Sequence, residues 1–109
     1  MNTVLLVFYV PTTHTESVKS AVFAAGGGAI GNYQCCSWQV LGSGQFMPQE
    51  GSEPFLGQAG QIENVPEHQV QVICPADAMD AIVQALLAAH PYETPAYYCV
   101  KLQAMEGQK

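Results

Sequence analysis

Between His90 and Tyr97 the sequence reads His-Pro-Tyr-Glu-Thr-Pro-Ala-Tyr, which crowds an imidazole, a phenol and a carboxylate around two prolines. Such groups can exchange a proton, hold a divalent cation or hydrogen-bond a ligand. Secondary structure alone does not call for them together, so this segment is the best place on the chain for a ligand. His90 has two readings. It ends an apolar helix, where a cationic imidazole favours the dipole, or it joins Glu93 in ligand or metal binding. His68 falls by parity on the apolar face of a strand and reads as a satisfied core histidine, and His14 as an exposed residue before a helix. The spacing of these three histidines, with Glu67 and Glu93, matches no zinc or two-metal signature.

Other signals are weaker. Nucleophilic catalysis would need Cys36 and His90 to meet, and strand packing explains each separately. The run Gly26 to Gly31 (GGGAIG) follows a helix and precedes a strand. That is the reverse of the order that aims helix amides at a phosphate, so capping and close packing account for it. The four cysteines show no CxxC spacing, which excludes a zinc ribbon or a thioredoxin motif.

Periodicity gives the elements that must position these groups. Residues 3–10 (TVLLVFYV) are apolar at both parities, predicting a central strand covered on both faces. Thr12, Thr13 and Thr15 are candidate caps for a helix in which Val18, Ala21, Val22 and Ala25 recur at helical spacing. Gly26-Gly27-Gly28 stops that helix. Residues 33–41 read as a second strand, Gly42-Ser43-Gly44 as a turn, and residues 45–47 as a short strand or arm. Residues 48–66 carry three prolines and three glycines with little periodicity, the mark of a functional or mobile loop.

A third strand then places His68, Val70, Val72 and Cys74 on one face, with Glu67, Gln69 and Gln71 on the other. A second helix carries a stripe of Met79, Ile82, Val83, Leu86 and His90. Residues 96–102 form the last strand, and residues 103–109 a flexible tail. The order predicts one α+β domain over residues 1–102, a ferredoxin-like βαββαβ fold with both helices on one face of an antiparallel sheet. The other face of the first strand is then bare unless a second subunit covers it.

Composition agrees. Of 109 residues, 49% are hydrophobic and only 11% charged, against about 25% charged in typical domains. A surface so poor in charge points to self-association. With net charge −6, three lysines and no arginine, nucleic acid and anionic membranes are excluded as partners. No signal peptide or membrane-length apolar run is evident, so a cytoplasmic protein is expected.

A family likeness runs through Ala25-Gly26, Gly31-Asn32-Tyr33, Cys36-Ser37-Trp38 and Gly42-Ser43-Gly44-Gln45-Phe46-Met47-Pro48. It continues through Gly51, Pro54, Gly57, Gly60, Glu63, Val65, Glu67 and His90-Pro91-Tyr92-Glu93. On these residues the chain resembles a stand-alone version of the domain inserted in many bacterial members of the Nif-three-like dinuclear metal-centre family. The resemblance implies a PII/CutA-like fold and a homotrimer with its sheets packed inward. It also implies that residues 46–66 correspond to the effector- and partner-contacting loop of PII-like trimers. The alternative is an arm folded over a neighbouring subunit's edge strand, and Phe46, Phe55 and Leu56 favour docking over projection. The family's metals are held by flanking domains with no counterpart in these residues, so no hydrolase chemistry carries over. The last strand, Ala96-Tyr97-Tyr98-Cys99-Val100, also lacks the acidic residue usual in such domains.

The sequence therefore leads us to expect a non-catalytic, oligomeric binding or regulatory protein with a small-molecule or partner site at clefts between subunits. Tyr33, Trp38, Phe46, His90, Tyr92 and Glu93 are its candidate contacts. The alternatives are a CutA-like divalent-metal protein using His90 and Glu93, and a structural assembly module acting on a protein partner. No organic cofactor is expected.

Overall fold

The structure, a computed structural model, describes residues 2–103; the expected tail lies, from residue 104 on, outside the described residues. The chain runs β1 (Thr3–Pro11), α1 (Thr15–Ala24), β2 (Trp38–Phe46), β3 (Glu63–Pro75), α2 (Met79–Ala89) and β4 (Tyr97–Lys101). A 3-10 turn, Ala76–Ala78, leads into α2. The strands pair antiparallel in the order β2-β3-β1-β4, which is the ferredoxin-like arrangement.

Register explains which side chains meet. Leu6 stands opposite Val72, Phe8 opposite Val70 and Val4 opposite Cys74. With Val18 and Val22 of α1 and Ile82 and Leu86 of α2, these strands form one buried cluster between sheet and helices. Each such side chain contributes about 1.5–3 kcal/mol by leaving water.

The first helix starts differently from the expectation. None of the threonines caps it: His14 occupies the N-cap position and no side chain caps the helix there. Thr15 is buried, and its hydroxyl pairs with His68 Nδ1 at 2.7 Å beneath the sheet. Burial won over capping because Thr15 faces β3. The other end behaves as expected. Gly26, at φ 117°, lets its N–H reach the Phe23 carbonyl and the Gly27 N–H reach that of Val22, the two bonds of a Schellman stop.

β2 is the main correction. Gly42-Ser43-Gly44 is no turn. It continues β2 in register with Glu67, Pro66 and Val65, so the strand runs unbroken to Phe46. Glycine is present there because of what lies above it: a Cβ on Gly44 would collide with the Glu67 carboxylate. The pairing of β2 with β3 also continues beyond β1, whose last partner pair is Pro11 and Glu67. The loop is correspondingly shorter, residues 47–62.

The face of the sheet away from the helices carries a row from Trp38 through Gln71 and Val7 to Tyr98. Val7 is buried there even in the single chain, whereas Trp38, Val40, Tyr98 and Val100 are exposed.

Candidate functional site

Where α2 ends, the chain must cross from the helix layer to β4, and His90 fixes that crossing. Its Nε2–H donates to the Tyr9 carbonyl of β1 at 2.7 Å, and its Nδ1 accepts the Tyr92 N–H at 3.1 Å. A carbonyl needs a donor and an N–H needs an acceptor, so these partners define the tautomer of a neutral ring. Burial, opposed by the bond to Tyr9, lowers its pKa from the ordinary 6.5. His90 is therefore no cationic cap on its own helix; it bonds a strand carbonyl as a neutral imidazole. Coordinating a metal would require it to release one of these bonds.

Held in this way, Tyr92 reaches across to β3. Its hydroxyl donates to Glu67 Oε2 at 2.7 Å, over the space left by Gly44. Desolvation and the adjacent Glu67 raise the Tyr92 pKa, so the phenol stays protonated and acts as a hydrogen-bond donor. The next residue, Glu93, accepts the backbone N–H of Glu53 at 2.8 Å and pins the long loop. Phe55 of that loop packs edge-on against His14, with ring centroids 5.3 Å apart, and lies 6.3 Å from Tyr92. Phe46 completes the group at 5.7 Å from Tyr92. The loop thus folds back on its own subunit, and His14 is its anchor rather than a free surface residue.

Between the end of β2, this loop and the Tyr92–Ala96 crossing lies a groove of about 730 Å³, also lined by Tyr9, Gly44 and Glu67. Of the expected site residues, Phe46, Tyr92 and Glu93 line it directly and His90 sits behind Tyr92. Tyr33 and Trp38 do not reach it within one chain. Trp38 begins β2 and Phe46 ends it, roughly 26 Å apart at strand rise, and both Tyr33 and Trp38 are largely exposed.

Cys36 and His90 do not meet either. Cys36 bonds Gly28, which bonds Ile73, and Ile73 pairs with Leu5 at the other end of β1 from Tyr9. Burial pushes the Cys74 thiol up to about 11, and that of Cys99 upward too, so neither is an activated nucleophile. Among the described residues no three His, Cys, Asp or Glu side chains converge as a metal-holding group.

Tyr9, Glu67 and Phe55 are not among the candidate contacts read from the sequence, where Glu67 enters only beside the histidines and Phe55 only as a docking residue of the loop. The available signal was Gly44, a glycine whose missing side chain accommodates a carboxylate, but it reads equally well as a turn.

No family model matches the chain. The "GTP cyclohydrolase 1 type 2 homolog" of Mycobacterium leprae is 53% identical over 91 residues, which are 84% of this chain and 24% of that protein. The crystal structure of a Bacillus cereus protein related to NIF3 superposes with a TM-score of 0.80 at 39% identity, covering 94% of this chain and 26% of the other. The chain is homologous to a segment of the NIF3-related proteins. It spans about a quarter of the length of the curated relatives it matches. The fold of this NIF3-related segment is also that of CutA: the protein from Archaeoglobus fulgidus superposes with a TM-score of 0.66 at 13% identity, covering 95% of this chain and 88% of CutA.

Proposed function

We propose that this NIF3-related chain is a non-catalytic, cytoplasmic binding module whose groove takes a small molecule and whose open sheet face makes a homotrimer. The observation that carries the reading is the groove itself. Its volume of about 730 Å³ falls in the roughly 300–1,000 Å³ range of small-molecule sites, and it has the usual apolar walls with a few fixed polar groups. A binding role rather than a catalytic one is supported by the state of those groups. The phenol keeps its proton, both imidazole nitrogens are engaged, and no cysteine lines the groove. The four free cysteines fit a reducing compartment. No helix among the described residues is long and apolar enough to cross a membrane.

Self-association is supported by Trp38, Val40, Tyr98 and Val100, exposed apolar groups of one sheet face. The trimer is the assembly implied by the resemblance to PII- and CutA-like chains. Tyr33 and Trp38 then belong to subunit boundaries, and Phe46, Tyr92 and Glu93 to the groove.

The test is a fragment screen followed by amide NMR. Fragments that occupy the groove shift the Glu53 and Tyr92 amides together, because the one is held by Glu93 and the other by His90. A library that moves neither amide overturns the small-molecule reading. In that case native mass spectrometry separates the remaining ones: chelator-removable metal favours a CutA-like metal protein on His90 and Glu93, and a bare oligomer favours an assembly module.

A further inference from the structure

We propose that the groove selects an organic cation, an ammonium head carried on an apolar or aromatic body; this rests on the groove being a ligand site. Its lining combines aromatic faces (Tyr9, Phe46, Phe55, Tyr92) with the carboxylates of Glu50, Glu67 and Glu93, and includes no lysine, arginine or histidine. Lys19 of α1 is committed to Glu16 and to Gln39 of β2, and Lys101 lies at the end of β4.

The carboxylates are placed before any ligand arrives. Glu67 accepts the Tyr92 phenol hydrogen on Oε2 and lies over Gly44, where any side chain would displace it. Glu93 accepts the Glu53 amide hydrogen on Oε1. Among the described residues, Oε1 of Glu67 and Oε2 of Glu93 have no hydrogen-bond partner. The groove therefore offers acceptors that are already fixed in place.

Charge and shape then discriminate between ligand classes. A carboxylate or phosphate would meet like charge with no cation among the lining residues to offset it. A bare divalent ion needs several oxygens converging on one point, and no such group occurs among the described residues. An ammonium satisfies both features of the lining, giving N–H donors or polarised methyl groups to the carboxylates and resting its charge on ring faces. Tyr92 is suited to this, because donating its hydroxyl hydrogen to a carboxylate enriches its ring in electron density. A small ammonium alone underfills about 730 Å³, which calls for an attached apolar body against Pro48, Pro54 and Phe55.

Three probes that share one body and differ in head group test this: phenethylamine, phenethyl alcohol and 3-phenylpropionate. Each is titrated while the Glu53 and Tyr92 amides are followed by NMR. We expect the amine to bind saturably and at least about tenfold more tightly than the alcohol, the ratio of one charge-assisted hydrogen bond, and the carboxylate not to bind. Added salt weakens the amine and leaves the alcohol unchanged. E67Q keeps an acceptor for Tyr92 and loses the charge, and is expected to weaken the amine by about tenfold and the alcohol by much less. Equal or tighter binding of the alcohol or carboxylate overturns the inference, as does an amine affinity indifferent to E67Q. If fragments of another chemistry shift these amides and the amine does not, the cation assignment falls while the groove stands as a ligand site. If nothing shifts them, both fall.

Discussion

At the scale of single residues, His90 and Gly44 do the most to shape the groove, and each makes a prediction. His90 is buried neutral, with its pKa lowered chiefly by desolvation. Its unfolded-state value is the ordinary 6.5, so below that pH the unfolded chain takes up a proton that the folded chain refuses. Stability from this residue is present above the unfolded pKa and is lost as pH falls toward the folded one. H90Q keeps a donor for the Tyr9 carbonyl and an acceptor for the Tyr92 amide, without a titrating ring. Thermal melts from about pH 7.5 to about pH 5.5 should show a smaller drop in Tm for H90Q than for the parent chain. G44A forces a methyl group against the Glu67 carboxylate. The group that must move is the free end of a side chain, so the cost in urea unfolding should be about 1 kcal/mol, that of the lost Tyr92–Glu67 hydrogen bond. The release of Tyr92 should show as a shift of its amide resonance. The value of Gly44 was hidden in the sequence because glycine looks the same in a turn and under a carboxylate. Glu67 and Tyr92, by contrast, are far apart in the chain and meet only because His90 holds the α2–β4 crossing over the end of β3.

At the scale of elements, the fold was legible because its periodicities are strong. The doubly apolar β1, the alternating β3 and the stripe on α2 each specify a partner surface, and together they leave little topological choice. What periodicity could not give was the path of residues 47–62, which follow neither a helical nor a strand repeat. Their position is set by tertiary contacts: Phe55 on His14 and Tyr92, and the Glu53 amide on Glu93. F55A should therefore loosen the loop selectively. Because Phe55 is already 45% exposed, the global loss should be about 1 kcal/mol or less. Limited proteolysis should nevertheless cut F55A within this loop faster than the parent chain, while the β1 amides exchange at the same rate.

At the scale of the whole molecule, the proposed function gives the two surfaces separate tasks. The groove lies where β2 and β3 run on past β1, and the open apolar row from Trp38 to Tyr98 lies across the sheet. W38E combined with V100E places charge on that exposed face and should convert the oligomer to monomer in sedimentation velocity. The groove's amide response to amine probes should survive wherever the groove is complete in one chain. A parent chain that sediments as a monomer removes the trimer from the reading and leaves the groove untouched.

The way the loop is held bears on how quickly the groove can exchange its contents. One wall is strand and helix terminus, tied by β1 and α2 to the global stability of the fold. The other is a segment fastened by one ring and one amide. Opening it breaks those contacts and no strand pairing, so a ligand held as proposed would arrive and leave on the timescale of loop motion rather than of unfolding. Phe55 and Glu93, which hold the loop and also face a ligand in the proposed site, would then act on residence time and affinity together. Glu67, on the fixed wall, would act on affinity without opening the loop.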